Sequence, residues 1–373
     1  MIKSRQGRQT REEIAHLILS DILAGRWAPG ARLPGHTRLR PEFGPTVSNT
    51  TLNAAIGILK ELGFLRVRRQ HSTCVADPLP YRNRYLIAFP REPDPSHPST
   101  LYSVLYRIAL DRQRRGGDIE YAVINGSGVP GQREAMRERL ADEARWHRIG
   151  GVLFAGPILD AAAEPLLTEP GIARVSLVDP IPGIDMPPMP HGGIGTPPSH
   201  SFPERGAAWL RAQGHRTVAV IGFGFGYLQP KHGLEVEERW RWKPWRKALA
   251  AQGLRTRPEW LLTLGGSGYE VALLLRRGCE TPDAVVIDDD MLVPSVTAGL
   301  RAAGPPYPKV LAKTNFPTRP RAALPVQLLG YDVEGLFDRC TAALRDPEAQ
   351  RTCSVIPVPA MFEDEWRQSR HRC

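Results

Sequence analysis

Short polar side chains crowd one stretch of the sequence: Ser48, Asn49, Thr50, Thr51 and Asn53. Hydroxyls and a helix N-terminus hold phosphates, and an asparagine amide can read an adenine edge. At the start of a helix, such a pattern therefore suits nucleic acid. Ser48 and Thr51 can equally serve as helix caps, and for Ser48 the two roles are compatible. Arg38 and Arg40 precede the cluster, while Arg66, Arg68, Arg69 and His71 follow it. These are candidates for phosphate or base contacts, with a merely solvated basic face as the alternative. A second concentration is the triplet Asp288, Asp289 and Asp290. Consecutive carboxylates can hold a hard cation, but neither a histidine nor a second acidic cluster accompanies them, so no metal is expected. The run GFGFG at 222–226 hints at a dinucleotide turn. Pro230 and Gly233 interrupt the helix it should open, and no ribose-binding acid stands at the right distance. Neither a G-x-S-x-G motif, a P-loop nor H-E-x-x-H occurs, so neither catalysis nor a cofactor is expected. Trp240, Trp242 and Trp245 are close enough in sequence to stack a sugar or nucleobase, or to pack a core.

The elements that must carry these residues follow from periodicity. Residues 10–24 repeat apolar side chains at helical spacing through Ile14, Leu17, Ile18, Ile22 and Leu23. Thr10 and Glu13 form a capping box there, and Gly25 is the stop. A Pro/Gly turn, WAPGARLP, comes next. Residues 38–43 predict a short helix limited by Pro41. Ser48 caps a further helix with Leu52, Ala55, Ile56, Leu59 and Leu62 on one face, ending at Gly63. Two short strands, 64–69 and 72–75, close the segment. Three helices and a hairpin in this order make a winged helix-turn-helix. Residues 78–84, with two prolines, read as a linker.

Beyond residue 85 the periodicity changes. Apolar runs at 85–89, 119–125, 150–156, 173–179, 217–223, 260–264, 283–289, 309–313 and 325–330 alternate with helical stretches. Uninterrupted apolar strands between helices predict parallel sheets covered on both faces. Nine strands suit two α/β lobes better than one, with the Pro/Gly-rich segment 181–198 as the crossover.

Bulk composition agrees. The 373 residues carry a net charge of +10, with 42% hydrophobic residues. Residues 1–77 hold 12 Lys+Arg against 6 Asp+Glu, so a fifth of the chain carries most of the excess. The five cysteines are unpaired in spacing and form no C-x-x-C, which excludes a disulfide framework or zinc site and fits a reducing compartment. The N-terminal MIKSRQGRQTREE lacks the apolar core of a signal peptide, and no apolar run approaches membrane length. A cytoplasmic protein without a membrane partner is expected.

Residues 10–77 resemble the gluconate-repressor (GntR) family of winged helix-turn-helix proteins. Gly25, Pro29, Gly30, Leu33 and Pro34 stand at that family's spacing in GRWAPGARLP. Ser48, Thr50, Thr51 and Leu52 match the start of its recognition helix, Leu59 and Gly63 its end, and Thr73 and Val75 the return strand of its wing. The chain departs from the pattern in three places. Gly44–Val47 is two residues longer than the family's turn, Asn49 replaces a usual arginine, and His71-Ser72 replaces a glycine-rich wing tip. Residues 85–373 resemble the periplasmic-binding-protein-like sensor of the lactose-repressor family. AQGHRTVAVIGFG (212–224), RWKPWRKALAAQGL (241–254) and PDAVVIDDDMLVPSVTAGLRAAG (282–304) each match a phrase of that family, in its order. Joining the two modules is the plan of arabinose-type repressors.

The resemblance implies a multi-domain fold. It joins a winged helix-turn-helix (α+β, 1–77), a linker (78–84) and a two-lobed α/β periplasmic-binding-protein-like domain of type I (85–373). It carries effector contacts onto Arg241 and Asp290. Arg241 precedes a helix and offers forked donors; Asp290 follows a strand end, where open α/β sheets bind ligands. An exposed helix arginine and an N-cap before Met291 are the respective alternatives. Trp242, Asp179, Asn315 and Ser99 are further pocket candidates. The implied function is a transcription regulator, most simply a repressor. It would bind double-stranded operator DNA as a homodimer and be controlled by a sugar-like effector. An α/β enzyme and a transporter's solute-binding protein are the rivals; the first lacks a catalytic motif and the second a leader.

Overall fold

A computed structural model describes residues 9–68, 72–77, 79, 84–89, 92–116, 119–123, 130–155, 166, 169, 172–177, 193–195, 201–224, 238–264, 268–270, 275, 280–346 and 358–371. The chain divides into two compact units, residues 1–84 with 142–150, and residues 85–141 with 151–373.

The first unit opens with α1 (Arg11–Leu23), where Thr10 and Glu13 complete a capping box. Ile14, Ala15, Ile18, Leu19 and Ile22 form its buried stripe. Leu17 and Leu23, expected on that stripe, are instead 45% and 37% exposed. At about 100° per residue the buried stripe spans roughly 140° from Ile14 to Leu19, and Leu17 lies about 60° outside it and Leu23 about 40°. The short helix α2 (His36–Leu39) continues into a 3₁₀ turn at Arg40–Phe43. Ser48 caps α3 (Asn49–Glu61), which buries Leu52, Ala55, Ile56 and Leu59. Leu62 lies just past its end. The hairpin β1 (Leu65–Arg68) and β2 (Ser72–Val75) is antiparallel.

GRWAPGARLP supplies a third partner for this hairpin. Gly30 N donates to Val75 O, Val75 N to Ala31 O, and Leu33 N to Thr73 O. Gly30 sits at φ +81°, the left-handed region that favours glycine. Trp27 and Leu33 from the same run enter the core. Residues 142–150 also belong to this unit: Trp146 stacks on His16 with ring centroids 3.9 Å apart.

The second unit contains two sheets. The first has β3 (Tyr85–Phe89), β4 (Ile119–Val123), β5 (Gly151–Phe154), β6 (Ala173–Ser176) and β7 (Gly193–Gly195), in the order β4-β3-β5-β6-β7 and wholly parallel. Helices α4 (Leu101–Arg114) and α5 (Pro130–Arg145) join its early strands. The second sheet begins after α6 (Ser201–Ala212). It comprises β8 (Val218–Phe223), β9 (Leu261–Leu264), β10 (Ala284–Ile287), β11 (Lys309–Phe316), β12 (Gln327–Asp332) and β13 (Met361–Phe362), ordered β13-β12-β11-β10-β8-β9. Only β13 runs antiparallel to its neighbour.

Side chains alternate between the faces of this second sheet. Val218, Val220, Ala284, Val286 and Leu311 pack with Phe202 of α6 and with Trp245 and Leu249 of α7 (Lys243–Ala251). Ala219, Ile221, Val285, Ile287 and Val310 pack with Val293, Val296 and Leu300, mostly from α8 (Val293–Ala302). Burial on both faces explains the unbroken apolar strands of the sequence.

Two features correct the expected chain path. Within the proposed crossover 181–198, residues 193–195 form β7 of the first sheet; its other residues lie outside the described ones. The path also crosses more than once. Helix α9 (Val333–Arg345) follows β12 of the second sheet, yet its Leu336, Phe337, Cys340 and Leu344 pack with Ile87, Phe89 and Leu153 of the first. The chain then returns to β13 and α10 (Glu363–Arg370).

Candidate functional site

In the first unit, α3 begins on an exposed surface. Ser48 Oγ accepts from Thr51 N at 3.0 Å and lies 2.8 Å from Thr51 Oγ1. The two hydroxyls thus form the cap, and Asn49, Thr50 and Asn53 remain exposed beside them. The free N–H groups of that first turn, with the helix dipole, favour an anion. Arg38, Arg40, Arg66 and Arg68 are exposed as well.

Four acidic groups near the N-terminal helices are engaged elsewhere. Glu12 pairs with Arg11, Asp21 and Glu42 with Arg26, and Glu13 with the Thr10 cap. Among the described residues, Arg38, Arg40 and Arg66 have no ion pair, so their charge faces solvent. Only Leu65 of β1 is buried, and Val67 is 57% exposed. The wing therefore projects from the body with Arg66 and Arg68 on it. Arg69 and His71 lie outside the described residues.

In the second unit, buried polar groups gather at the carboxyl ends of β8, β10 and β11. Arg241 lies on a π-helical turn, Glu238–Trp242, and is 7% exposed. Its Nη1 donates to Phe223 O at 2.7 Å, and its Nε lies 3.7 Å from Asp288 Oδ2. Gly222 is the floor beneath it: a Cβ there would stand 2.4 Å from the guanidinium carbon. Gly222 of the GFGFG run thus makes room for the arginine.

Asp288 has three donors around it. Trp245 Nε1 donates to its Oδ2 at 3.0 Å, and Lys313 Nζ lies 3.6 Å from its Oδ1, in addition to Arg241. Burial works to lower the pKa of Lys313, but the Asp288 carboxylate, with Asp289, outweighs it and leaves the ammonium raised. Trp245 is fully buried, so its role is packing and this one hydrogen bond rather than ligand stacking. Trp242 is buried in the same core, with Arg241 5.4 Å from its ring centroid.

The N-cap before Met291 falls on Asp289, whose Oδ1 accepts from Met291 N at 3.1 Å. This leaves Asp290 for another role. Its side chain meets the Ser99 hydroxyl, which comes from the loop after β3. Among the described residues its buried Oδ2 has no hydrogen-bond partner. Burial, then the charge of Asp289, pushes the Asp290 carboxyl up to about 6. Burial likewise raises Asp289. Asn315 is 3% exposed and donates through Nδ2 to Ser99 O at 3.1 Å. Arg107 of α4 bridges Pro98 O and Thr318 Oγ1 nearby. Ser99, Asp290 and Asn315 are thus brought together where the two lobes meet. Asp179 lies outside the described residues.

The reading of the sequence missed Asp288 as a keystone and Lys313 altogether. A lysine inside the apolar run KVLAKTNF was the available signal, because lysine is rarely buried without a partner.

The sequence model of the family described as bacterial regulatory proteins, gntR family, matches residues 10–75. Those residues form a GntR-family helix-turn-helix domain. No curated protein sequence matches the chain. Among solved structures, a LacI-type transcriptional regulator from Bacillus cereus is similar at TM-score 0.52 and 17% identity, covering 75% of this chain and 96% of its own. A transcriptional regulator from Yersinia pestis gives TM-score 0.52 and 14% identity, over 76% of this chain and 98% of its own. The regulator CelR in complex with cellobiose gives TM-score 0.51 and 20% identity, over 95% of this chain and 99% of its own. The second unit therefore has the periplasmic-binding-protein-like fold of LacI-type regulators. Joined to the GntR-type reader, it makes the chain a DNA-binding transcription regulator.

Proposed function

We propose that this regulator is a cytoplasmic homodimeric repressor, not an enzyme, with a reader at residues 1–77 and a sensor at 85–373. A sugar or related polar metabolite would bind between the two lobes of the sensor and release operator DNA. The observation that carries this reading is the buried polar cluster at the lobe junction, with Asp290 Oδ2 unpartnered beside Ser99 and Asn315. A buried acceptor without a donor is costly, and a ligand hydroxyl or N–H supplies the donor. Arg241, buried against Phe223 O and Asp288, would orient a ligand from the second lobe. The cellobiose bound by the CelR neighbour supports a polar, sugar-like effector.

In the reader, Asn49, Thr50 and Asn53 are assigned to base edges and phosphates, with Ser48 and Thr51 holding the helix start. Arg38, Arg40, Arg68, Arg69 and His71 are assigned to the DNA backbone and flanking groove. Ligand that favours closed lobes must change DNA affinity, and DNA must change ligand affinity by the same factor.

The test combines thermal-shift screening of the full chain against polar metabolites with operator titration. Bound ligand raises the melting temperature. An effector should shift operator affinity in wild type but not in Arg241→Ala, whose ligand-free DNA binding stays intact. Failure to select any specific DNA site would overturn the reader assignment. Sedimentation showing a monomer at micromolar concentration, with and without DNA, would remove the dimer.

A further inference from the structure

Five charged groups meet at the carboxyl edge of the second sheet among the described residues, Arg241, Lys313, Asp288, Asp289 and Asp290, with the neutral Tyr331 beside Lys313. Two are cations and three are carboxylates, so these five described groups carry one net negative charge when fully ionised. Its location can be traced bond by bond. Asp288 is met by Trp245, Arg241 and Lys313. Asp289 accepts from Met291 N. Asp290 meets the Ser99 hydroxyl and feels the Lys313 charge, but among the described residues its buried Oδ2 has no hydrogen-bond partner. The residue is 6% exposed, so solvent does not neutralise it.

Buried charge is tolerated when it is paired. A metal ion is a poor candidate, since no group of three or more His, Cys, Asp or Glu side chains among the described residues could hold one. Arg107, a cation on α4 of the first lobe, is exposed and engaged with Pro98 O and Thr318 Oγ1. A neutral hydroxyl would fill the hydrogen bond but leave the charge.

We propose that the effector carries a positively charged N–H donor, an ammonium group on a polar metabolite, which pairs with Asp290 at the lobe junction. This inference rests on the reading of the junction as an effector site. It commits that site to an aminated ligand in place of a neutral or anionic one. Arg241 and Lys313, both beside Asp288, would offer their remaining N–H donors to hydroxyl or carbonyl oxygens of the same molecule.

The experiment uses the full chain and matched probes at pH 7.5: glucosamine with glucose, galactosamine with galactose, and a wider panel of amines with their hydroxyl and carboxylate counterparts. Thermal shift screens the panel, and calorimetry measures each hit. Aminated probes should stabilise the protein and bind about tenfold or more tightly than their neutral counterparts, as a charge-assisted hydrogen bond implies. Asp290→Asn should remove that advantage, so that aminated probes bind no more tightly than their neutral counterparts. Ser99→Ala should keep the preference for amines, which separates pairing from a general loss of shape. Neutral or anionic probes that bind as tightly as amines, or an amine preference that survives Asp290→Asn, would overturn the proposal. Hits confined to neutral sugars would leave the effector site standing and exclude the ammonium. No hit in any class would overturn the effector site and this inference together.

Discussion

Replacing Asp290 by asparagine should stabilise the ligand-free protein at high pH. In the folded chain burial raises this carboxyl from 3.8 to about 6. A shift of that size, at 1.36 kcal/mol per unit, corresponds to about 3 kcal/mol. Because the folded pKa lies above the unfolded one, the folded state holds the proton more tightly. The associated stability is fully present below about pH 4 and is lost as pH rises through about 6. At pH 8 the wild-type protein therefore carries a buried carboxylate whose Oδ2 has no hydrogen-bond partner among the described residues. Asparagine has nearly the same shape without the charge, so the variant should gain up to about 3 kcal/mol at pH 8 and almost nothing near pH 4. For a unit of this size each kcal/mol moves the melting temperature by roughly 2–4 °C, so the gap should be several degrees. Asp289, Asp288, Lys313 and Arg241 are common to both proteins, so the difference between the two pH profiles isolates Asp290. Calorimetry of both full chains from pH 4.5 to 8 makes the comparison. Parallel profiles, or a variant less stable at pH 8, would refute the reasoning, because Asp290 would then have a compensating partner.

Further expectations concern Arg241 and the reader. Gly222→Ala places a Cβ 2.4 Å from the Arg241 guanidinium carbon, so the arginine must leave Phe223 O and Asp288; effector response should disappear while ligand-free operator binding, measured by titration, is retained. Arg66→Ala with Arg68→Ala should weaken binding to every DNA sequence and reduce the log–log salt slope by about 2, whereas Asn53→Ala should alter base preference by about 1–3 kcal/mol; binding-site selection with salt titration distinguishes these effects. Thr10→Ala with Glu13→Ala removes the capping box of α1 and should cost the reader about 1–2 kcal/mol in denaturant unfolding.

What was visible in the sequence follows from the range of the forces involved. Thr10, Ser48, Gly25 and Gly63 act within one turn of their own helices, so their caps and stops could be read directly. The strands of the second lobe were visible because burial on both faces leaves an unbroken apolar run, and the register of β8, β10 and β11 follows those runs. The return of α9 to the first sheet was hidden, because an amphipathic helix shows that it has an apolar face but not which sheet receives it. The same limit applies to the site. Asp290 and Arg241 could be singled out by resemblance, but the division of labour among three adjacent aspartates depends on groups distant in sequence. Trp245 and Lys313 claim Asp288, and Met291 N claims Asp289. Only Asp290 faces Ser99, a residue 191 positions earlier in the chain. Three chemically identical side chains thus acquire three roles, a keystone for Arg241, a helix cap and an unpaired acceptor. The last is the one whose charge a ligand would complete under the proposed function, which is why that proposal centres on the lobe junction and not on the acidic triplet as such.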